Sequence, residues 1–161
     1  MATTAEIPLR YAGGGASPAG VAANAAGVPY WTFSDTVVQQ MRFAGVVPDN
    51  YASGLVATLF YSMASATSGK TDWEVSVMCV SPDDAADVDT DSFDTVNAAN
   101  ETVPGTAGYM SALAITLTNA DSVAAGDLLL LKLERDADDA TNDTATGDAE
   151  VRAVVLSYTT S

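Results

Sequence analysis

The sequence predicts an all-β protein: an antiparallel β-sandwich, jelly-roll-like, led by an extended N-terminal arm. Three observations predict it. Apolar residues recur at every second position in six segments. Those segments are separated by stretches dense in Gly, Pro, Asn, Asp and Ser. No window carries an amphipathic helical stripe with caps. The best helical reading, "SPDDAADV", has a Ser-Pro-Asp start that suits one short turn.

The chain divides into residues 1–29, an Ala/Gly-rich interaction arm, and residues 30–161, the sandwich. Between Tyr11 and Val28 nearly every residue is Ala, Gly, Ser, Pro, Asn or Val. Such a stretch has little to bury and loses much entropy on ordering, so its order calls for a partner. Ile7, Pro8, Leu9 and Tyr11 read as the anchors, and Gly13, Gly14 and Gly15 as the hinge. Tyr30, Trp31 and Phe33 cluster where the arm meets the first strand. They read as a plug closing one end of the sandwich, with a sugar-stacking platform or a protein contact as the alternative.

The strands follow in order. "DTVVQQMRFAGVV" places Val37, Met41 and Phe43 on one side, interrupted by Gln39. "GLVATLFYSMA" aligns Leu55, Leu59, Tyr61 and Met63. "DWEVSVMCV" sets Trp73, Val75, Val77 and Cys79 against Asp72, Glu74 and Ser76. A weaker, seventh candidate lies in "FDTVNAANETV". "MSALAITLT" contributes Leu113, Ile115 and Leu117, and "DLLLLKLER" contributes Leu129, Leu131 and Leu133. "EVRAVVLSYTT" is apolar on both faces apart from Arg152, which marks a strand buried once in the core and once between subunits. On that reading Val154→Asp disturbs assembly more than folding. In "TNADSVAAGD", Asn119 and Asp121 suit Asx-turns, and Gly126 supplies a backbone conformation closed to residues with a Cβ. The long connections that remain suit a jelly roll or Greek key better than a meander.

Composition narrows the function. The chain of 161 residues is 48% apolar, which argues for a packed domain and against disorder. It carries 21 acidic residues against 6 basic ones, a net charge of −15. That charge repels nucleic-acid phosphate and anionic lipid, so neither is an expected partner. No run approaches a membrane span, and no basic-then-apolar secretory leader is visible, so the chain is expected to be made and folded in a cytoplasm, or to leave by lysis. Cys79, the one cysteine, reads as a small buried strand residue.

Histidine is absent, which removes the commonest general base and transition-metal ligand. "AGGGASPAG" lacks the Lys-Ser/Thr of a phosphate-binding loop. Two acidic runs remain. One holds Asp83, Asp84, Asp87, Asp89, Asp91 and Asp94; the other holds Asp136, Asp138, Asp139, Asp143, Asp148 and Glu150. Asp136, Asp138, Asn142 and Asp143 are the candidate Ca²⁺ ligands, since Ca²⁺ takes carboxylate and amide oxygens. The run is not an EF-hand: Thr141 stands where the loop glycine belongs, and Gly147 where the closing Glu belongs. The bland reading is two solvated loops that keep the protein from self-association. Paired carboxylates can hydrolyse a glycoside, but the Asp residues here sit in loops without aromatic neighbours to raise a pKa, so a non-enzymatic role is expected.

From Trp31 to Thr160 the chain resembles the small all-β structural proteins of tailed bacteriophage virions. The stretches "VVPDNYASGLVATLFYSMASATSGKTDWEVSV", "ETVPGTAGYMSALAITLTNADSVAAGDLLLLKLERD" and "GDAEVRAVVLSYTT" carry the likeness. It is one of texture, with no motif from which a site residue follows. The resemblance implies a capsid decoration (cement) protein: a homotrimer on the virion surface whose arm docks on the major capsid protein. A carbohydrate-binding jelly-roll module, or a tail, fibre or baseplate component, is the alternative.

Overall fold

The computed structural model describes residues 3–82 and 87–161. Among these residues eleven strands run in chain order: β1 (Thr4–Ile7), β2 (Arg10–Gly13), β3 (Gly20–Ala23), β4 (Pro29–Phe33), β5 (Gln39–Val46), β6 (Tyr51–Met63), β7 (Lys70–Val80), β8 (Asn97–Thr102), β9 (Ser111–Thr116), β10 (Leu128–Arg135) and β11 (Ala149–Thr160). They form two sheets. One is ordered β3-β4-β11-β6-β9, with β1 also paired to β11; the other is ordered β2-β5-β10-β7-β8. Every strand-to-strand ladder is antiparallel. The chain passes from one sheet to the other at each connection except β3–β4 and β7–β8. The result is an all-β, jelly-roll-like sandwich.

Period-two alternation decides which side chains meet inside. Met41 and Phe43 from β5, Leu55, Leu59 and Tyr61 from β6, Trp73, Val75 and Val77 from β7, and Leu129, Leu131 and Leu133 from β10 are all buried. Trp73 sits at the centre of one end. Phe33 meets it edge-on at 5.2 Å and Tyr61 lies at the same distance, tilted. Val37 does not join this face: it precedes β5 and is exposed.

The arm departs from expectation. Its strands are extended, but they pair within the chain's own sheets. Ile7 lies opposite Leu156, Tyr11 opposite Phe43, and Val21 opposite Trp31. Ile7 is 2% exposed, which is worth about 1.5–3 kcal/mol of apolar burial. Gly45 of β5 explains how the crossover from β1 to β2 lies so close: a Cβ there would stand 2.9 Å from the Pro8 carbonyl oxygen and 3.0 Å from Ile7 Cγ2. The boundary drawn after residue 29 therefore separates strands that share sheets. Gly13, Gly14 and Gly15 are no hinge. Gly13 sits at a bulge in the β2–β5 ladder, and Gly15 takes a φ of 66° in the turn that follows.

A second correction concerns β11. The ladder with β6 shifts between Val151 and Ala153, a bulge centred on Arg152. Beyond it Val154 lies opposite buried Leu59 and packs against the core, while Ala153 and Val155 face outward. Val154 is thus a folding residue, not a surface one. In the β9–β10 turn, Gly126 takes a φ of 90°, as expected. The Asx-turns do not form there. Asp121 Oδ2 instead accepts the Cys79 amide at 2.7 Å, and Asn119 Nδ2 donates to the Val96 carbonyl at 3.3 Å. The "SPDDAADV" segment and the acidic pair Asp83 and Asp84 lie partly or wholly outside the described residues.

Candidate functional site

Among the described residues, two places bring chemistry-bearing side chains together. The first is the edge where the two sheets part, between β2 on one side and β3 and β4 on the other. Tyr11 and Trp31 project from opposite sheets and stack, with ring centroids 6.1 Å apart and planes 29° from parallel. Phe43 meets both edge-on, at 6.5 Å from Tyr11 and 6.3 Å from Trp31. This geometry suits the ring quadrupoles and fixes the trio. Phe43 is buried, Trp31 is half-buried, and Tyr11 is 50% exposed. Val21, which faces the same way as Trp31, is 73% exposed. The edge therefore carries an uncharged aromatic shelf that Tyr11 and Val21 leave open to solvent.

Tyr30, one residue before Trp31, faces the opposite side of its sheet. Arg152 lies over its ring at 4.9 Å, a cation–π contact. The same guanidinium donates to Glu150 Oε2 at 2.7 Å, and the Ser62 hydroxyl donates to that carboxylate at 3.2 Å. Tyr30 and Trp31 thus belong to two surfaces. Phe33, the third member expected in the cluster, is fully buried against Trp73.

The second place is the acidic end of the β2-β5-β10-β7-β8 sheet. The connection of residues 136–148 folds over it and is pinned by Arg135. That side chain is 0% exposed and forks onto Asp143, with Nε–Oδ2 and Nη2–Oδ1 both 2.8 Å. It also donates to the carbonyls of Phe33, Ala145 and Gly147. Asp139 receives the amides of Thr141 and Asn142 and the Asn142 side-chain amide, which hold its carboxyl below the usual range. Asp72 of β7 is buried. Burial, then the charge of Asp139, raises its carboxyl, and the Trp73 amide only partly opposes this. Asp136 is pushed up to about 7, chiefly by a hydrogen bond with Asp138, then by burial and the charges of Glu74, Asp138 and Asp72. One carboxylate oxygen from each of Asp72, Asp136 and Asp139 lies within 4.8 Å of the others.

The expected Ca²⁺ set of Asp136, Asp138, Asn142 and Asp143 is therefore only partly brought together. Asp143 is consumed by Arg135, and Asn142 Nδ2 is turned onto Asp139. Asp138 is exposed and stands beside Asp136. Asp72 was missed because alternation marks it as an ordinary outward strand residue. The available signal was the residue type: Asp is depleted within strands. Phe93 was also missed. It leaves the β7–β8 connection to lie over Arg42 and Lys132, at 5.5 and 5.7 Å.

No family model matches this chain, and no curated protein matches it. Solved structures are similar in fold. A carbohydrate-binding module characterised for specific mannan recognition is 12% identical, with 98% of each chain covered and a TM-score of 0.49. The C-terminal family 6 carbohydrate-binding module of a laminarinase from Zobellia galactanivorans is 11% identical over 98% of this chain and 99% of that one, at 0.44. A family 11 module from Clostridium thermocellum, in complex with a mixed-linked tetrasaccharide, is 8% identical over 97% and 86%, at 0.42. The likeness is one of fold.

The capsid-decoration expectation does not hold. The residues that were to reach a major capsid protein, from Ile7 to Gly15, are paired or turned within the chain's own sandwich.

Proposed function

We propose that this protein is a non-catalytic binding module that takes neutral carbohydrate on the Tyr11–Trp31 shelf. The carrying observation is the stack itself: a half-exposed tyrosine held nearly parallel to a tryptophan, with a buried phenylalanine edge-on to both. The C–H faces of a pyranose are flat and apolar, and they pack on such rings. Few rotamers are lost on binding, because the trio is already packed. A net charge of −15 disfavours sulfated or uronic polymers, which leaves uncharged glycans as the ligand class.

The virion likeness in sequence texture enters the same proposal as a tail, fibre or baseplate component that carries a sugar-binding sandwich.

The test is a neutral-glycan screen followed by calorimetry on the best ligand. Tyr11→Ala is expected to weaken binding by roughly tenfold or more while leaving the far-ultraviolet spectrum unchanged. A protein that binds no neutral glycan, or a Tyr11→Ala variant that binds as the parent does, contradicts the reading.

A further inference from the structure

The shelf makes no use of the acidic end of the molecule, yet that end has an unmet requirement. Asp72 is 5% exposed, and its Oδ1 accepts no hydrogen bond from any described group. An ionised carboxylate oxygen buried without a partner is costly, and native proteins resolve this with a donor or a cation. The neighbouring cations are engaged elsewhere. Arg135 is bound to Asp143, and Lys132 is paired with Glu134. Among the described residues no Lys or Arg forms an ion pair with Asp72, Asp136 or Asp139. Glu74 adds a further negative charge next to the group.

We propose that Asp72, Asp136 and Asp139 form a Ca²⁺ site that fastens the 136–148 connection to the N-terminal end of β7. The three carboxylates come from two elements, and an oxygen of each falls within 4.8 Å of the others. Oxygens placed about one ion at roughly 2.3–2.6 Å span that separation. The donor set is all oxygen, with no imidazole or thiolate, which selects a hard cation over zinc or copper. Asp138, beside Asp136, is placed to add a fourth carboxylate, and water completes the shell. The backbone is already set for this. The Asp136 amide donates to the Asp72 carbonyl at 3.1 Å, and the Asp139 amide donates to the Asp136 carbonyl at 3.2 Å. The site is independent of the carbohydrate shelf and stands or falls without it.

The experiment is calorimetric titration of chelator-stripped protein with CaCl2 at neutral pH and physiological salt, with MgCl2 as the comparison and thermal melts alongside. One Ca²⁺ per chain is expected, with a rise in Tm on adding calcium and a weaker response to magnesium. Asp72→Asn is expected to lose roughly tenfold or more in calcium affinity. In chelator, the same variant is expected to melt no lower than the parent, because it removes a buried charge that lacks a partner. Asp139→Asn, which keeps an oxygen for the Thr141 and Asn142 amides, provides a second variant with the same expected loss of affinity. An absence of both heat and Tm change up to about 10 mM CaCl2 overturns the proposal. Calcium binding that is unaltered in both variants also overturns it.

Discussion

The guanidinium of Arg135 and the carboxylate of Asp143 meet fork to fork inside the protein, through two bonds of 2.8 Å, with side chains 0% and 2% exposed. The pair does more than neutralise charge. The remaining guanidinium hydrogens reach the carbonyls of Phe33, Ala145 and Gly147, so one side chain ties β4, β10 and the 136–148 connection together. Arg135→Ala leaves the buried Asp143 carboxylate with no counter-charge and, among the described residues, only the Asp72 amide as a donor, and takes a donor from three carbonyls. It is expected to destabilise by about 3–5 kcal/mol in urea unfolding. Arg135→Lys is expected to recover only a fraction, because an ammonium cannot serve a planar, two-pronged partner. A loss under about 1 kcal/mol for Arg135→Ala would show that the fork is not what holds the loop.

The N-terminal segment offers a test of its place in the fold. Ile7→Ala is expected to cost about 2–5 kcal/mol, the range for truncating a buried aliphatic side chain. Gly45→Val is expected to destabilise through the same contact, since its side chain would occupy the space of Ile7 and Pro8. Were the segment a free arm, removal of residues 1–12 would leave the melting temperature where it was. The structure predicts a marked fall.

Much of the sandwich is legible in the sequence because alternation and turn chemistry agree there. Met41, Leu59, Val75 and Leu131 each sit on the face that period two assigns them. The first strands are illegible for a physical reason. β1, β2 and β3 are short flanking strands held mainly by backbone ladders, and Ile7 is the one large side chain they send fully into the core. An Ala/Gly composition then looks like a linker. The shelf is half legible: Trp31 stands out as an aromatic near the first strand, but its stacking on Tyr11 depends on a long-range pairing of β2 with β5. The role of Asp72 depends on a loop closing over it, which alternation does not encode.

The bulge at Arg152 predicts opposite outcomes for adjacent residues. Val154→Asp places a charge against the core beside Leu59 and is expected to cost about 3 kcal/mol or more. Val155→Asp faces outward and is expected to cost less than about 1 kcal/mol. Paired denaturation curves would read the register directly. Equal losses would mean that the bulge is misplaced.

Alkaline pH should unfold the protein for a definable reason. Burial, reinforced by Asp127 and Asp121, pushes the Cys79 thiol up to about 12, and burial likewise pushes the Tyr61 phenol up to about 12. Both groups hold their protons more tightly in the folded state than in the unfolded chain. Their contribution to stability is complete below pH 9 and is lost as pH rises from 9 toward 12. The same shift predicts that Cys79 resists alkylation at pH 8 in the native protein and reacts readily in denaturant. Rapid native alkylation would contradict the burial.

The central claim is that Trp31, stacked under Tyr11, is where ligand lands. The chain has two tryptophans, and the other, Trp73, is wholly buried. An ¹⁵N-labelled sample therefore gives two indole cross-peaks, assigned by Trp31→Phe. Titration with neutral oligosaccharides should move the Trp31 indole peak and leave that of Trp73 in place. Saccharide binding that leaves the Trp31 indole peak unmoved would place the site elsewhere and contradict the account.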